Sequence, residues 1–239
     1  MNNEHHKYPR LFVVDDLNDG QIVTLDKNQS HYLTNVMRKK VGDFIRLFNS
    51  RDGEFLCAID TINKKFATLR IDKKLRIYPP HLRRIHLFFA PLKKKRIDFV
   101  IEKCSELGVT DFHPIVTERT EVRSLKTERV EAQIIEACEQ SERLDIPTLH
   151  HITPLATKIT QWDETPIYAA IERHDAPPLW DISLPENAAF LIGPVGGFTQ
   201  AEREMLINAQ HIHPVSLGQN ILRAETASII CMCAAFFSS

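Results

Sequence analysis

Two short segments of this chain carry residue types suited to holding a small polar ligand. The first, Ile192-Gly193-Pro194-Val195-Gly196-Gly197-Phe198-Thr199, follows the apolar run Ala188-Ala189-Phe190-Leu191. The second, Leu217-Gly218-Gln219-Asn220-Ile221-Leu222-Arg223-Ala224-Glu225-Thr226-Ala227, follows Pro214-Val215-Ser216. Four of the eight glycines fall between Phe190 and Thr226, which makes this stretch the place where backbone could approach a ligand closely. That suits a flat, polar cofactor. A G-x-x-G-G alone is equally the turn between a strand and a helix; the second loop shifts the balance toward binding. Arg223 is the candidate for an electrostatic role, because a guanidinium stays charged and donates to a carbonyl oxygen or a phosphate. An ion pair with a nearby acid such as Glu225 is the structural alternative. Neither the phosphate-cradling G-x-x-x-x-G-K-[ST] pattern nor the dinucleotide G-x-G-x-x-G pattern occurs, so nucleotide hydrolysis and nicotinamide redox chemistry lose their usual supports. The five cysteines are scattered, without a C-x-x-C pair. They read as reduced core thiols; no clustered His/Cys/Asp ligand set and no metal are expected.

An apolar run ending in glycine and opening into a polar helix start marks a buried parallel strand meeting the C-terminal edge of its sheet, where open α/β sheets bind ligands. Thr199 and Glu202 form the T-x-x-E spacing of a capping box, predicting a helix through Met205 to about Ala209. Upstream, residues 11–14, 22–25, 44–48, 54–59 and 67–71 are short strand candidates rich in branched and aromatic residues. Asp52-Gly53 is a hairpin signal, and the set suggests a small barrel. A short helix capped by Ser30 is expected, with Leu33, Val36 and Met37 on one face. Around Arg76-Ile77-Tyr78-Pro79-Pro80 the strands stop, because paired prolines disfavour helix and central strand alike; this is the expected domain boundary. Beyond it strands (85–90, 109–116, 167–171) alternate with helices. One has Ile97, Ile101, Cys104 and Leu107 at helical spacing, ending at Gly108. A longer one, with Val130, Ile134, Ala137 and Ser141 on one face, runs to about Arg143. The pattern predicts a parallel α/β sheet.

At 239 residues the chain can bury a sizeable core. Its apolar runs stay well short of the ~18 residues of a membrane span, and the start lacks an apolar signal core, so a cytoplasmic location is expected. The net charge of −1 conceals an asymmetry: residues 1–100 hold 20 Lys+Arg against 11 Asp+Glu, and residues 101–239 hold 10 against 20. The basic half, densest at Lys93-Lys94-Lys95-Arg96, is the candidate nucleic-acid surface, although such a run is also an ordinary solvated loop.

Taken together, the two glycine loops resemble the C-terminal signature of the SPOUT methyltransferases, and more narrowly the 16S ribosomal RNA (uracil-N3)-methyltransferase family. Further pieces match: His31, Leu33, Val36, Arg38, Gly42 and Asp43; Pro91-Leu92-Lys93 with Arg96, Asp98 and the helix from Glu102 to Val109; Glu118-Arg119-Thr120; and Glu136 to Arg143 followed by Pro147. The resemblance implies a PUA-like RNA-binding β-barrel over residues 1–75 and an α/β SPOUT methyltransferase domain over residues 80–239, closed by a trefoil knot that holds S-adenosyl-L-methionine in a bent shape. Carried over position by position, it implies cofactor contacts from Leu191, Gly193, Pro194, Gly196, Gly197, Leu217, Gly218, Ile221, Leu222 and Arg223, with Arg223 also catalytic. RNA contacts are expected from Arg38, Lys93, Lys94, Lys95, Arg96, Arg119 and Arg143. The implied partners are 16S ribosomal RNA or the assembled small subunit, and a second copy of the chain in a homodimer. Uracil N3 attacks only once its proton leaves, so such an enzyme must remove that proton or stabilise charge on the flanking carbonyls; no residue stands out as the base. The family's first loop usually reads G-P-E-G-G, and Val195 replaces the glutamate. The same fold would also serve a non-catalytic RNA-binding or ribosome-assembly protein, or a methyltransferase acting elsewhere on RNA.

Overall fold

The computed structural model describes residues 5–63, 66–78, 83–162 and 165–238. They fall into two compact units: Met1–His81 with Cys138–Ile146, and Leu82–Ala137 with Pro147–Ser239. The Pro79-Pro80 boundary expected from the sequence lies outside the described residues. The return of Cys138–Ile146 to the first unit is absent from the two contiguous ranges expected.

In the first unit, β1 (Arg10–Phe12), β2 (Ile22–Thr24), β3 (Phe44–Asn49), β4 (Gly53–Ile62) and β5 (Ala67–Arg76) form one sheet in the order β1-β3-β4-β5-β2. β1 runs parallel to β3 and the other pairs are antiparallel. Register shifts between β4 and β5 bend the sheet. Leu11 and Val23, from its two edges, consequently share one core with Ile45, Phe55 and Leu69.

The short helix α1 (Lys27–His31) is capped by Asp26, whose side chain accepts from the Gln29 amide. The expected cap, Ser30, is instead buried, donating to the Leu25 carbonyl and accepting from the Ala67 amide. Asp26 wins because its carboxylate lies one turn earlier, where orphan amides need an acceptor. The chain continues through a wide turn (Tyr32–Val36) closed by the Met37 amide on the Tyr32 carbonyl. An i→i+5 bond rotates later side chains off an α-helical face, so Leu33 is buried while Val36 points outward, 60% exposed. The three-residue face expected from 3.6 periodicity does not form.

Glu54 organises the unit's buried charge. Arg10, Arg46 and Arg76 surround it at 2.6, 3.4 and 2.5 Å. The same arginines hold the returning segment: Arg10 donates to the carbonyls of Cys138 and Arg143, Arg76 to that of Glu142, and Arg46 to the Glu142 carboxylate. Burial alone would raise the Glu142 pKa, but Arg46 and His6 outweigh it and hold it at about 2.

The second unit contains β6 (Ile85–Phe89), α2 (Lys94–Glu106), β7 (Asp111–Val116), α3 (Thr127–Gln140, whose last turn belongs to the first unit), β8 (Thr148–Leu149), β9 (Thr153–Pro154) and α4 (Leu155–Thr160). Then come β10 (Ile167–Ala170), β11 (Ala188–Ile192), α5 (Gln200–Asn208), β12 (Ile212–Val215) and α6 (Ala224–Phe237). The sheet order is β12-β10-β11-β6-β7-β8, all parallel. Every residue of β6 and β11 is buried, as expected for strands covered on both faces. α6 packs on α2, β6, β11 and the short turn Leu179–Asp181. No helix among the described residues is long and apolar enough to cross a membrane.

Candidate active site

A cavity of about 430 Å³ opens at the C-terminal edge of β10, β11 and β12. Three loops line it: 171–174 after β10, 193–198 after β11 and 215–224 around the start of α6, joined by Arg96 from the first turn of α2. Their lining combines aliphatic residues (Ile171, Ile192, Val215, Leu217) with polar and charged ones, among them Glu172, His174, Asn220 and Arg223. A pocket with apolar walls and a few convergent polar groups is the usual form of a small-molecule site.

Local sequence chemistry fixes the middle loop. A Cβ on Gly193 would lie 2.9 Å from the ring of Phe198, which is itself buried. Gly197 takes φ +66° and closes a turn onto the Pro194 carbonyl. The predicted capping box is present: Thr199 accepts from the Glu202 amide and Glu202 accepts in return from the Thr199 amide. The other Glu202 oxygen accepts from the Glu118 amide, tying the Glu118-Arg119-Thr120 segment to the start of α5.

Eight of the ten cofactor residues expected from sequence line the cavity: Gly193, Pro194, Gly197, Leu217, Gly218, Ile221, Leu222 and Arg223. Leu191 does not, being fully buried within β11. Nor does Gly196, whose carbonyl accepts from Arg119 Nη1 at 3.0 Å and which packs against that side chain. Val195 is exposed on the cavity's rim. The loop Ile171-Glu172-Arg173-His174 was missed, since it contains no glycine; its only sequence signal is its place after a strand. Arg173 holds φ +57° there, a left-handed backbone that a non-glycine residue adopts at some cost.

The expected basic residues separate. Arg96 lines the cavity, with Nε 3.6 Å from Glu225 Oε1. Glu225 therefore faces Arg96, and the hydrogen bonds and ion pairs among the described residues do not include the Arg223 side chain. Lys94 and Lys95 are exposed, and Lys93 pairs with Glu121 at 3.0 Å. Lys94 also lines a smaller cavity of about 220 Å³ with Lys126 and Arg129. Arg38 is exposed, with φ +54°. Arg143 departs from expectation: its guanidinium pairs with Asp145 and is only 11% exposed, so it serves the first unit's packing rather than an open RNA surface.

The structure also corrects the expected lack of a clustered ligand set. His86, Asp111 and His113 bring donor atoms within 4.8 Å of one another, His86 from β6 and the other two from β7. His86 Nδ1 lies 3.0 Å from His113 Nε2, and His150 Nε2 lies 2.8 Å from Asp111 Oδ1. Arg84 and Thr110 also donate to Asp111. Burial would raise the Asp111 pKa, but the bonds from His150, Thr110 and Arg84 hold it far below the usual carboxylate range. Burial pushes His113 down to about 2, helped by the neighbouring cations. With its charge already met by Arg84, Asp111 works as the hub of this hydrogen-bond network. None of these residues lines the large cavity.

Residues 79–235 match the family described as RNA methyltransferase domain, and residues 25–72 the one described as RNA methyltransferase PUA domain. The chain belongs to the RNA methyltransferase family. As an RNA methyltransferase it is 33% identical over 227 residues to Ribosomal RNA small subunit methyltransferase E of Rickettsia conorii, covering 93% of each chain. The crystal structure of Ribosomal RNA small subunit methyltransferase E from Neisseria gonorrhoeae bound to S-adenosyl methionine superposes with a TM-score of 0.85 at 30% identity, covering 95% of this chain and 96% of that one. A Legionella pneumophila structure in complex with the bound cofactor SAM gives 0.88 at 28% identity, covering 96% and 97%.

Proposed function

We propose that this RNA methyltransferase transfers a methyl group from S-adenosyl-L-methionine to N3 of a uridine in 16S ribosomal RNA of the small subunit. The observation that carries the reading is the three-loop cavity at the sheet edge, in a chain that aligns nearly end to end with small-subunit rRNA methyltransferases. Its size and its mixture of aliphatic and polar lining residues fit an adenosine, and Gly193, lacking a Cβ, leaves room for the Phe198 ring that packs against the loop. When bound, the donor supplies an electrophilic methyl on a sulfonium. The chain's residues hold it, exclude water and present cations to the target base. Arg223 is the electrostatic residue at the site, and the aliphatic Ile221 and Leu222 shape its rim.

The first unit is read as the PUA-like RNA-binding module, with Arg38 on its surface. Lys93, Lys94 and Lys95, with Arg119, form the phosphate-contacting group of the second unit. A trefoil knot at the C-terminal segments is part of the reading; α6 packs against β6, β11 and the turn Leu179–Asp181 of the β10–β11 connection. The reading includes a homodimer: α2 and α6 pack together and carry exposed Phe99, Phe236 and Phe237. It also places the protein in the cytoplasm, where small subunits mature.

Calorimetry with S-adenosyl-L-methionine, followed by labelling of small subunits from cells lacking this protein and mass-spectrometric mapping, tests the function. Micromolar binding and one uracil N3-methyl are expected. Folded protein that binds RNA but neither binds the donor nor transfers its methyl would establish a non-catalytic RNA-binding role and point to Val195.

A further inference from the structure

We propose that Arg96 is a second guanidinium acting on the target base, and that Glu225 is the residue that positions it. The inference rests on the uracil-N3 reading above. Arg96 and Arg223 reach the same cavity from different elements, one in the first turn of α2 and one immediately before α6. Glu225, in the first turn of α6, faces Arg96 Nε and is only 13% exposed. Its second oxygen, Oε2, is buried without a hydrogen-bond partner among the described residues.

A nearly buried carboxylate with one unsatisfied oxygen is costly. The N-terminus of a 14-residue helix offsets part of that cost. The contact it makes here is with Arg96. At 3.6 Å this is an ion pair rather than a hydrogen bond, and among the described residues the Arg96 side chain makes no hydrogen bond, although it is 41% exposed. Its Nη donors remain available to a ligand. The first unit's arginines, by contrast, spend their donors on carbonyls and carboxylates.

The chemistry asks for two such groups. On losing its N3 proton, uracil spreads the charge over the two carbonyl oxygens flanking N3. Two cations on one cavity can each meet one oxygen, stabilising the anion without a protein base. The proton goes to solvent water, the N3 lone pair takes the methyl as the carbon–sulfur bond breaks, and the neutral thioether leaves.

The test uses full-length Arg96→Gln, Arg96→Lys and Glu225→Gln, with thermal melting to confirm folding. Arg96→Gln should lower kcat by about 100-fold while donor affinity in calorimetry changes far less. Its rate should keep rising with pH where the wild-type rate has levelled, because alkali replaces the lost acidification. A readout independent of turnover is the 19F titration of 5-fluorouridine, placed at the methylated position of a short 16S segment bound with S-adenosylhomocysteine. Its N3 should be about tenfold more acidic on the wild type than on Arg96→Gln. Arg96→Lys should recover part of the rate, and Glu225→Gln should add little on top of Arg96→Gln. A donor-affinity loss matching the rate loss would place Arg96 on the donor instead. Weaker RNA binding with unchanged pH profile and 19F titration would place it on a phosphate. Either overturns the inference, as does wild-type N3 methylation with an unaffected Arg96→Gln, which leaves the function standing. A wild-type protein that methylates another atom, or none, overturns both.

Discussion

Glu54 and Glu225 are both nearly buried carboxylates beside arginine, and they differ in what surrounds them. Glu54 is held by three guanidinium groups whose remaining donors tie the Cys138–Ile146 segment into the first unit. Glu225 has one arginine at ion-pair distance and an oxygen without a partner among the described residues. A saturated network specifies a fold; an under-saturated one is a cost that folding alone does not require.

The largest expected effect comes from breaking the saturated side. Glu54→Gln leaves three arginines short of a counter-charge and should cost about 3–5 kcal/mol in urea unfolding, whereas Glu225→Gln should cost less than about 1 kcal/mol. Equal losses would erase the distinction. Next is Gly193→Ala, whose Cβ meets the Phe198 ring. Overpacking should cost about 1–3 kcal/mol in urea unfolding, and the displaced loop should weaken donor binding roughly tenfold in calorimetry.

A third contrast is in acid. His113 has a folded pKa of about 2, below its ordinary value of 6.5, so between those values the unfolded chain binds the extra proton and stability falls as pH drops. Glu142, also depressed to about 2, contributes stability above its ordinary 4.5 and loses it from there downward. The second unit should therefore begin to weaken at higher pH than the first, with a slope of up to about 1.4 kcal/mol per pH unit. Trp162, packed edge-on against His86 and His113, reports it by fluorescence, and His113→Gln should flatten the slope near pH 6. The smallest effect is at the surface: Lys93→Ala should reduce the salt dependence of RNA binding by about one ion, read from filter binding at several salt concentrations.

The two glycine loops and the capping box were legible because each residue type there has a local backbone consequence. The β10 loop was not, since Ile171-Glu172-Arg173-His174 has no residue that demands a turn. Arg96 reads in sequence as the end of a lysine run; the first turn of α2 brings it to the cavity and leaves Lys94 and Lys95 exposed. Val36 fell outside its expected face because one wide turn changes the period. The His86–Asp111–His113 cluster exists only through parallel pairing of β6 with β7, which no single-segment pattern encodes.

The position of α6 also sets a clock on activity. A growing chain can fold its N-terminal unit's strands as they emerge, but the cavity lacks its last wall until residues 216–224 are made, and Arg96 lacks Glu225 until α6 follows. A polypeptide interrupted before that point carries the first unit without a complete pocket. Synthesis therefore completes the first unit before it completes the pocket.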